Sequence, residues 1–173
     1  MSLGLARGER ERAVLYDGAV GNALTRDKHA AWAHKGPEDL MRVMEEHVPF
    51  NRLLGLRGES VAIGGCVLTL AVREEFIGDP RRPALHGGVV SSLIDTAGGL
   101  AAWSALPPGE SVSTVDLRVD YLEPAGLGAD LRATAALVRK GNRVCHVRIE
   151  VTQGDVLVAD GRGVYNIHRR SMA

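Results

Sequence analysis

The sequence is poor in aromatic residues and has no surplus of charge. Aromatics make up 4% of its 173 residues, and 21 Lys and Arg balance 21 Asp and Glu to a formal net charge of zero. A neutral chain with few stacking side chains lacks the electrostatic footprint of a nucleic-acid binder or of a protein held on an anionic membrane. No run approaches the roughly 18 apolar residues of a membrane span. The first twelve residues hold too short an apolar run for a secretory signal, and Glu9 and Glu11 are out of place in a mitochondrial presequence. Cysteine is scarce as well. Cys66 and Cys145 stand far apart with no metal-ligand or redox spacing, which is expected of a reduced, cytoplasmic chain without a bound metal. There is no G-x-S-x-G, so the serine-hydrolase elbow is absent.

What is present is a chain 45% hydrophobic and 24% charged, enough for one well-packed core. Residues 1–36 are polar and weakly periodic and read as an extension, helical in part around residues 26–34. Residues 37–168 read as one domain, and residues 169–173 as a tail. Pro37-Glu38-Asp39 is a helix start, with proline and acids in the first turn. Leu40, Val43 and Met44 give the helical stripe, and Pro49 is expected to stop it. The period then changes to two. Residues 60–63 and 66–72 flank Gly64-Gly65, a hairpin signal. Val115, Leu117, Val119 and Tyr121 alternate with polar residues. So do Leu131, Ala133, Ala135 and Leu137, and again Cys145, Val147, Ile149 and Val151, and residues 156–164 close the series. Strands joined by such short turns are antiparallel. Between the hairpin and the later strands, residues 87–106 are apolar nearly all round, the mark of a helix buried on most sides. An antiparallel sheet curled around one long helix fits this order of elements.

That helix carries the chemistry. Its one charge is Asp95, costly in apolar surroundings unless paired or protonated. Asp95 is either a structural carboxylate bonded to neighbouring hydroxyls such as Ser91 or Ser92, or a catalytic one. Gly98-Gly99 points to a close approach by another backbone or a ligand, or to tight packing. The helix opens on His86-Gly87-Gly88, where free N–H groups at the positive end of the dipole suit an oxyanion. Asp95 follows Gly88 by seven residues, hence on nearly the same face but about 10.5 Å along the axis. One chain can hardly apply both groups to one carbonyl, whereas two antiparallel copies can. The small residues Ser91, Ala97 and Gly98 are expected to let them approach.

The run from His86-Gly-Gly through Asp95-Thr-Ala-Gly-Gly resembles the signature of hotdog-fold acyl-CoA thioesterases, closest to the phenylacetate-pathway and 4-hydroxybenzoyl-CoA branch. The segment from Thr114 through Tyr121-Leu-Glu-Pro124-Ala is similar to that family's following strand, and Arg139-Lys-Gly-Asn-Arg143 to its next hairpin. The likeness covers residues 38–167. It implies an α+β hotdog fold, an antiparallel sheet wrapped around a long central helix, and hydrolysis of an acyl-CoA thioester in the cytoplasm.

By the same resemblance Asp95 is the nucleophile or the base for water, and Gly87 donates its N–H to the thioester oxygen. His86 orients that end of the helix, and Thr114 positions water. Lys140, Gly141, Asn142 and Arg143 fall where the family contacts coenzyme A, or form a solvated hairpin tip. Gly88, Asp79, Arg81 and Arg82 are further candidates around the site. Branch members carry Asn or Gln six residues before the histidine. Here Pro80 stands there, and Asp79 is the nearest substitute. Coenzyme A enters as part of the substrate, and no cofactor or metal is implied. A homodimer, paired again into a tetramer, is the implied assembly. A non-catalytic acyl-CoA binding or sensing module on the same fold is the alternative.

Overall fold

The computed structural model describes residues 36–169. The helix expected around residues 26–34 lies outside the described residues. Helix α1, Pro37–Glu46, starts as expected, with Glu38 and Asp39 in its first turn and Leu40 and Val43 buried. Pro49 does more than stop it. It opens a second short helix, α2, Pro49–Leu54, closed by Gly55 at φ 75°. Proline suits the first position of a helix as well as the residue after one, so Pro49 is compatible with both roles. Asn51, only 3% exposed, donates to the Met44 carbonyl at 3.0 Å and so fixes the corner between the two helices.

Strands β1, Leu56–Ala62, and β2, Gly65–Leu70, form the expected hairpin. Its turn includes Gly64 at φ 78°, a left-handed conformation that favours glycine. Short strands β3, Ile77–Asp79, and β4, Arg82–Leu85, pair in a ladder of their own. Pro80 and Pro83 interrupt this stretch, and strands of three and four residues are too short to carry a readable alternation. Helix α3, Gly87–Ser104, follows, and then β5, Ser111–Tyr121; β6, Leu131–Lys140; β7, Val144–Gln153; and β8, Val156–His168. Strand β8 runs past the expected residue 164.

Six strands make one antiparallel sheet in the order β1-β2-β6-β7-β8-β5. Helix α3 packs against β2 and β5 to β8. Its buried side, including Leu93, Ile94, Ala97, Leu100 and Ala101, meets Ala133, Ala135, Val147, Ile149 and Val151. This is the hotdog arrangement implied by the resemblance. Among the described residues, no helix is long and apolar enough to cross a membrane.

Two details of the packing differ from expectation. Gly98 and Ala97 face the sheet, not an open helix face. A Cβ on Gly98 would lie 2.1 Å from Tyr165 Oη, so the glycine serves tight helix–sheet packing. On β5 the expected alternation breaks at Val115. Thr114 pairs with Tyr165 and Asp116 with Val164, so Val115 is an extra, unpaired residue and is 64% exposed. Such a bulge switches which side chains face inward. Thr114 and, beyond the bulge, Leu117, Val119 and Tyr121 all point to the α3 side.

Candidate active site

The first turn of α3 is held by its neighbours. His86 is the N-cap, and its Nδ1 accepts a hydrogen bond from the Gly88 N–H at 2.9 Å. An accepting Nδ1 is unprotonated, so the neutral ring carries its proton on Nε2. Ser92 Oγ donates to the Gly88 carbonyl at 2.7 Å. Tyr121 Oη donates to the Gly87 carbonyl at 3.0 Å and lies 2.5 Å from Ser91 Oγ. The Gly87 N–H has no acceptor among the described residues, and it stands at the positive end of an 18-residue helix.

Two turns on, Asp95 sits half-buried on a polar stripe with Ser91, Ser92, Thr96 and Gly99. The helix is therefore not closed all round, as its apolar composition led one to expect. Thr114 Oγ1 donates to Asp95 Oδ1 at 2.7 Å. Neither Ser91 nor Ser92 does so, because their hydroxyls serve Tyr121 and Gly88. Tyr165, fully buried, donates to the Asp95 backbone carbonyl at 3.3 Å. Burial, and then the charge of Asp95, push the Tyr165 phenol well above its ordinary range. Asp95 Oδ2 keeps no partner among the described residues. A cavity of about 490 Å³ opens beside Gly87 and Gly88, with Leu85, Val90, Tyr121, Pro124, Ala125 and Val158 among its walls.

The other candidates lie apart from this centre. Asp79 is engaged by the exposed Arg81 through two side-chain bonds of 3.0 and 3.1 Å, and that guanidinium holds its carboxyl below the usual range. Pro80 occupies the β3–β4 turn, and Arg82 is exposed on β4. Lys140 Nζ donates to the Ala105 carbonyl at 2.7 Å, which puts residues 140–143 at the C-terminal end of α3. Asn142 is held by Arg169 at 2.7 Å. Gly141 donates to the Val144 carbonyl. The Arg143 guanidinium makes no polar contact among the described residues.

A model of the thioesterase superfamily matches residues 83–159, a span that includes α3, Asp95 and Thr114. The medium/long-chain acyl-CoA thioesterase YigI of Salmonella typhimurium is 36% identical over 135 residues, 70% of this chain and 86% of that protein. The chain belongs to the thioesterase superfamily. It is accordingly a thioester hydrolase, and other members extend the likeness. Human acyl-coenzyme A thioesterase 13 is 29% identical over 72% of this chain and 89% of its own length. Among solved structures, the Escherichia coli PaaI protein of the phenylacetic acid degradation operon aligns with a TM-score of 0.68 and 28% identity. It covers 83% of this chain and 95% of its own.

The sequence reading missed Tyr121 as a site residue. The signal was available, since Tyr121 continues the inward alternation of Leu117 and Val119 up to the level of the helix N-terminus.

Proposed function

We propose that the protein hydrolyses acyl-coenzyme A thioesters, with Asp95 of one chain and the α3 N-terminus of a second chain acting on the same carbonyl. One observation carries this reading. An oriented, half-open carboxylate and an unfilled helix N–H share one helix but stand about 12 Å apart along its axis. A twofold axis near Ser91, midway between Gly87 and Asp95, sets the Asp95 of each copy beside the Gly87 of the other. The open polar stripe is made of small residues that allow such contact. The edge of β5, unpaired among the described residues, offers backbone groups for continuing the sheet into the copy.

The thioester oxygen accepts from the Gly87 N–H, and that bond strengthens as the carbonyl becomes an oxyanion. Asp95 Oδ2 takes a proton from the attacking water. Alternatively, Asp95 attacks first, and water opens the resulting anhydride. The thiolate leaves as coenzyme A, with the His86 Nε2–H as a nearby donor in place of the amide that Pro80 replaces. The apolar walls of the cavity, together with the medium/long-chain name of the Salmonella relative, support an aliphatic acyl group. Arg143, without a polar partner among the described residues, is the side chain best placed to meet a coenzyme A phosphate. Lys140, Gly141 and Asn142 frame it. Arg82 is a second cation, freer than Arg81.

Asp95→Asn tests the reading. It keeps an acceptor for Thr114 and removes the base. Turnover should fall by about 10²–10⁴-fold with thioester affinity and melting temperature retained. Turnover within tenfold of wild type would overturn the assignment. Arg143→Ala should raise KM for the full thioester and leave KM unchanged for a pantetheine thioester without the nucleotide. An equal rise for both substrates removes Arg143 from the site.

A further inference from the structure

Tyr121 is a site residue that the chemistry above leaves unused. The residue is 55% exposed, yet its hydroxyl is engaged on two sides, by the Gly87 carbonyl at 3.0 Å and Ser91 Oγ at 2.5 Å. A phenol has one hydrogen and a carbonyl only accepts, so the Ser91 hydroxyl must be the donor to Tyr121 Oη. Ser91 is four residues beyond Gly87. Tyr121 therefore bridges the two ends of the first turn of α3. The fit is close, since a Cβ on Gly87 would lie 3.1 Å from Tyr121 Oη.

That turn needs an external restraint. Two consecutive glycines give the backbone its widest freedom, and the first turn of a helix lacks a full set of internal hydrogen bonds. His86 fixes the Gly88 N–H and Ser92 the Gly88 carbonyl. Without Tyr121, the Gly87 carbonyl would be held, among the described residues, by the helix backbone alone. The ring also forms part of the cavity wall beside Gly87.

We infer that Tyr121 is a positioning residue of the thioesterase site, locking the first turn of α3 through the Gly87 carbonyl and Ser91 so that the Gly87 N–H stays aimed at the thioester oxygen. This inference rests on the reading of Gly87 as oxyanion donor. The hydroxyl itself touches no reacting atom. Its effect passes through the backbone to the carbonyl alone, so it falls mainly on kcat, where the bond to the oxyanion is strongest, and touches affinity only through the carbonyl contact.

Tyr121→Phe removes only the hydroxyl. With octanoyl-CoA, kcat should fall about 3- to 10-fold, the worth of one hydrogen bond, with KM within about twofold of wild type. Ser91→Ala should fall in the same direction by less. Two inert analogues of octanoyl-CoA separate positioning from structure. One is a ketone with methylene in place of sulfur, and the other is a thioether with methylene in place of the carbonyl. Wild type should prefer the ketone, and Tyr121→Phe should lose that preference with thioether affinity and melting temperature unchanged. A Tyr121→Phe protein that keeps its kcat and its ketone preference overturns the inference. So does one that loses affinity for both analogues alike as its melting temperature falls, which is a merely structural role. A wild type indifferent between the analogues overturns the Gly87 reading, and this inference with it.

Discussion

Cys66 sits behind α3, where its Sγ donates to the Ala97 carbonyl at 3.2 Å. Burial pushes its thiol up to about 12, and burial raises Tyr165 in the same direction. In both groups the folded state holds its proton to a higher pH than the unfolded chain does. Above about pH 9 the unfolded state sheds protons first, so stability falls as pH rises. The melting temperature should decline steadily from pH 9 toward pH 12, and Cys66→Ala should flatten the early part of that decline. The same burial makes Cys66 inert. A thiol reagent at pH 8 should leave Cys66 unmodified until the protein is unfolded.

The fit of α3 on the sheet depends on positions where side chains are missing. Gly98 makes room for Tyr165, and Gly161 for Ile94, whose Cγ2 would stand 2.6 Å from an added Cβ. Gly98→Ala must displace a fully buried ring and should cost about 1–3 kcal/mol, read as a melting temperature lower by several degrees. Such fits are not legible in one sequence, because Gly98-Gly99 looks the same whether a ligand or a tyrosine approaches. The long elements were legible, since alternation along β6 and β7 and the unbroken apolar run of α3 each carry a strong period. The short ones were hidden. Strands β3 and β4 are three and four residues long, and α2 begins on the proline that ends α1. In the site, the spacing of His86, Gly87 and Asp95 was readable along the chain. The Asp95–Thr114 bond was not readable, because it spans 19 residues and a bulge, and the resemblance gave Thr114 only a role in positioning water.

At the level of the whole molecule, the proposed site exists only between chains, and that can be read without a structure of the pair. Gly87→Pro deletes the oxyanion donor, and proline is tolerated at the first position of a helix, where its Cβ, 3.1 Å from Tyr121 Oη, requires the half-exposed tyrosine to give way slightly. His86 already has φ −63° and ψ 129°, the extended conformation required before proline. Asp95→Asn and Gly87→Pro should each be inactive alone. Co-expressed in equal amounts, half of the dimers are mixed, and each mixed dimer holds one intact site of its two. Activity should return to about one quarter of wild type under this isologous arrangement. A mixture as inactive as its parents would mean that each site is built within one chain.

The bulge at Val115 also bears on how such a chain can change over generations. Most exposed strand residues can be exchanged with little effect, and Val115, unpaired and open to solvent, looks like one of them. Its side chain is dispensable, and so is its place in the count, because Thr114, Asp116 and Leu117 already pair in unbroken step with Tyr165, Val164 and Gly163. Removing the residue would leave Thr114 and Leu117 two apart on one face of a now regular strand, so the hydroxyl that steadies Asp95 and the apolar row beyond it would both still face α3. Position 115 should therefore accept nearly any amino acid and a deletion as well, with melting temperature and turnover retained.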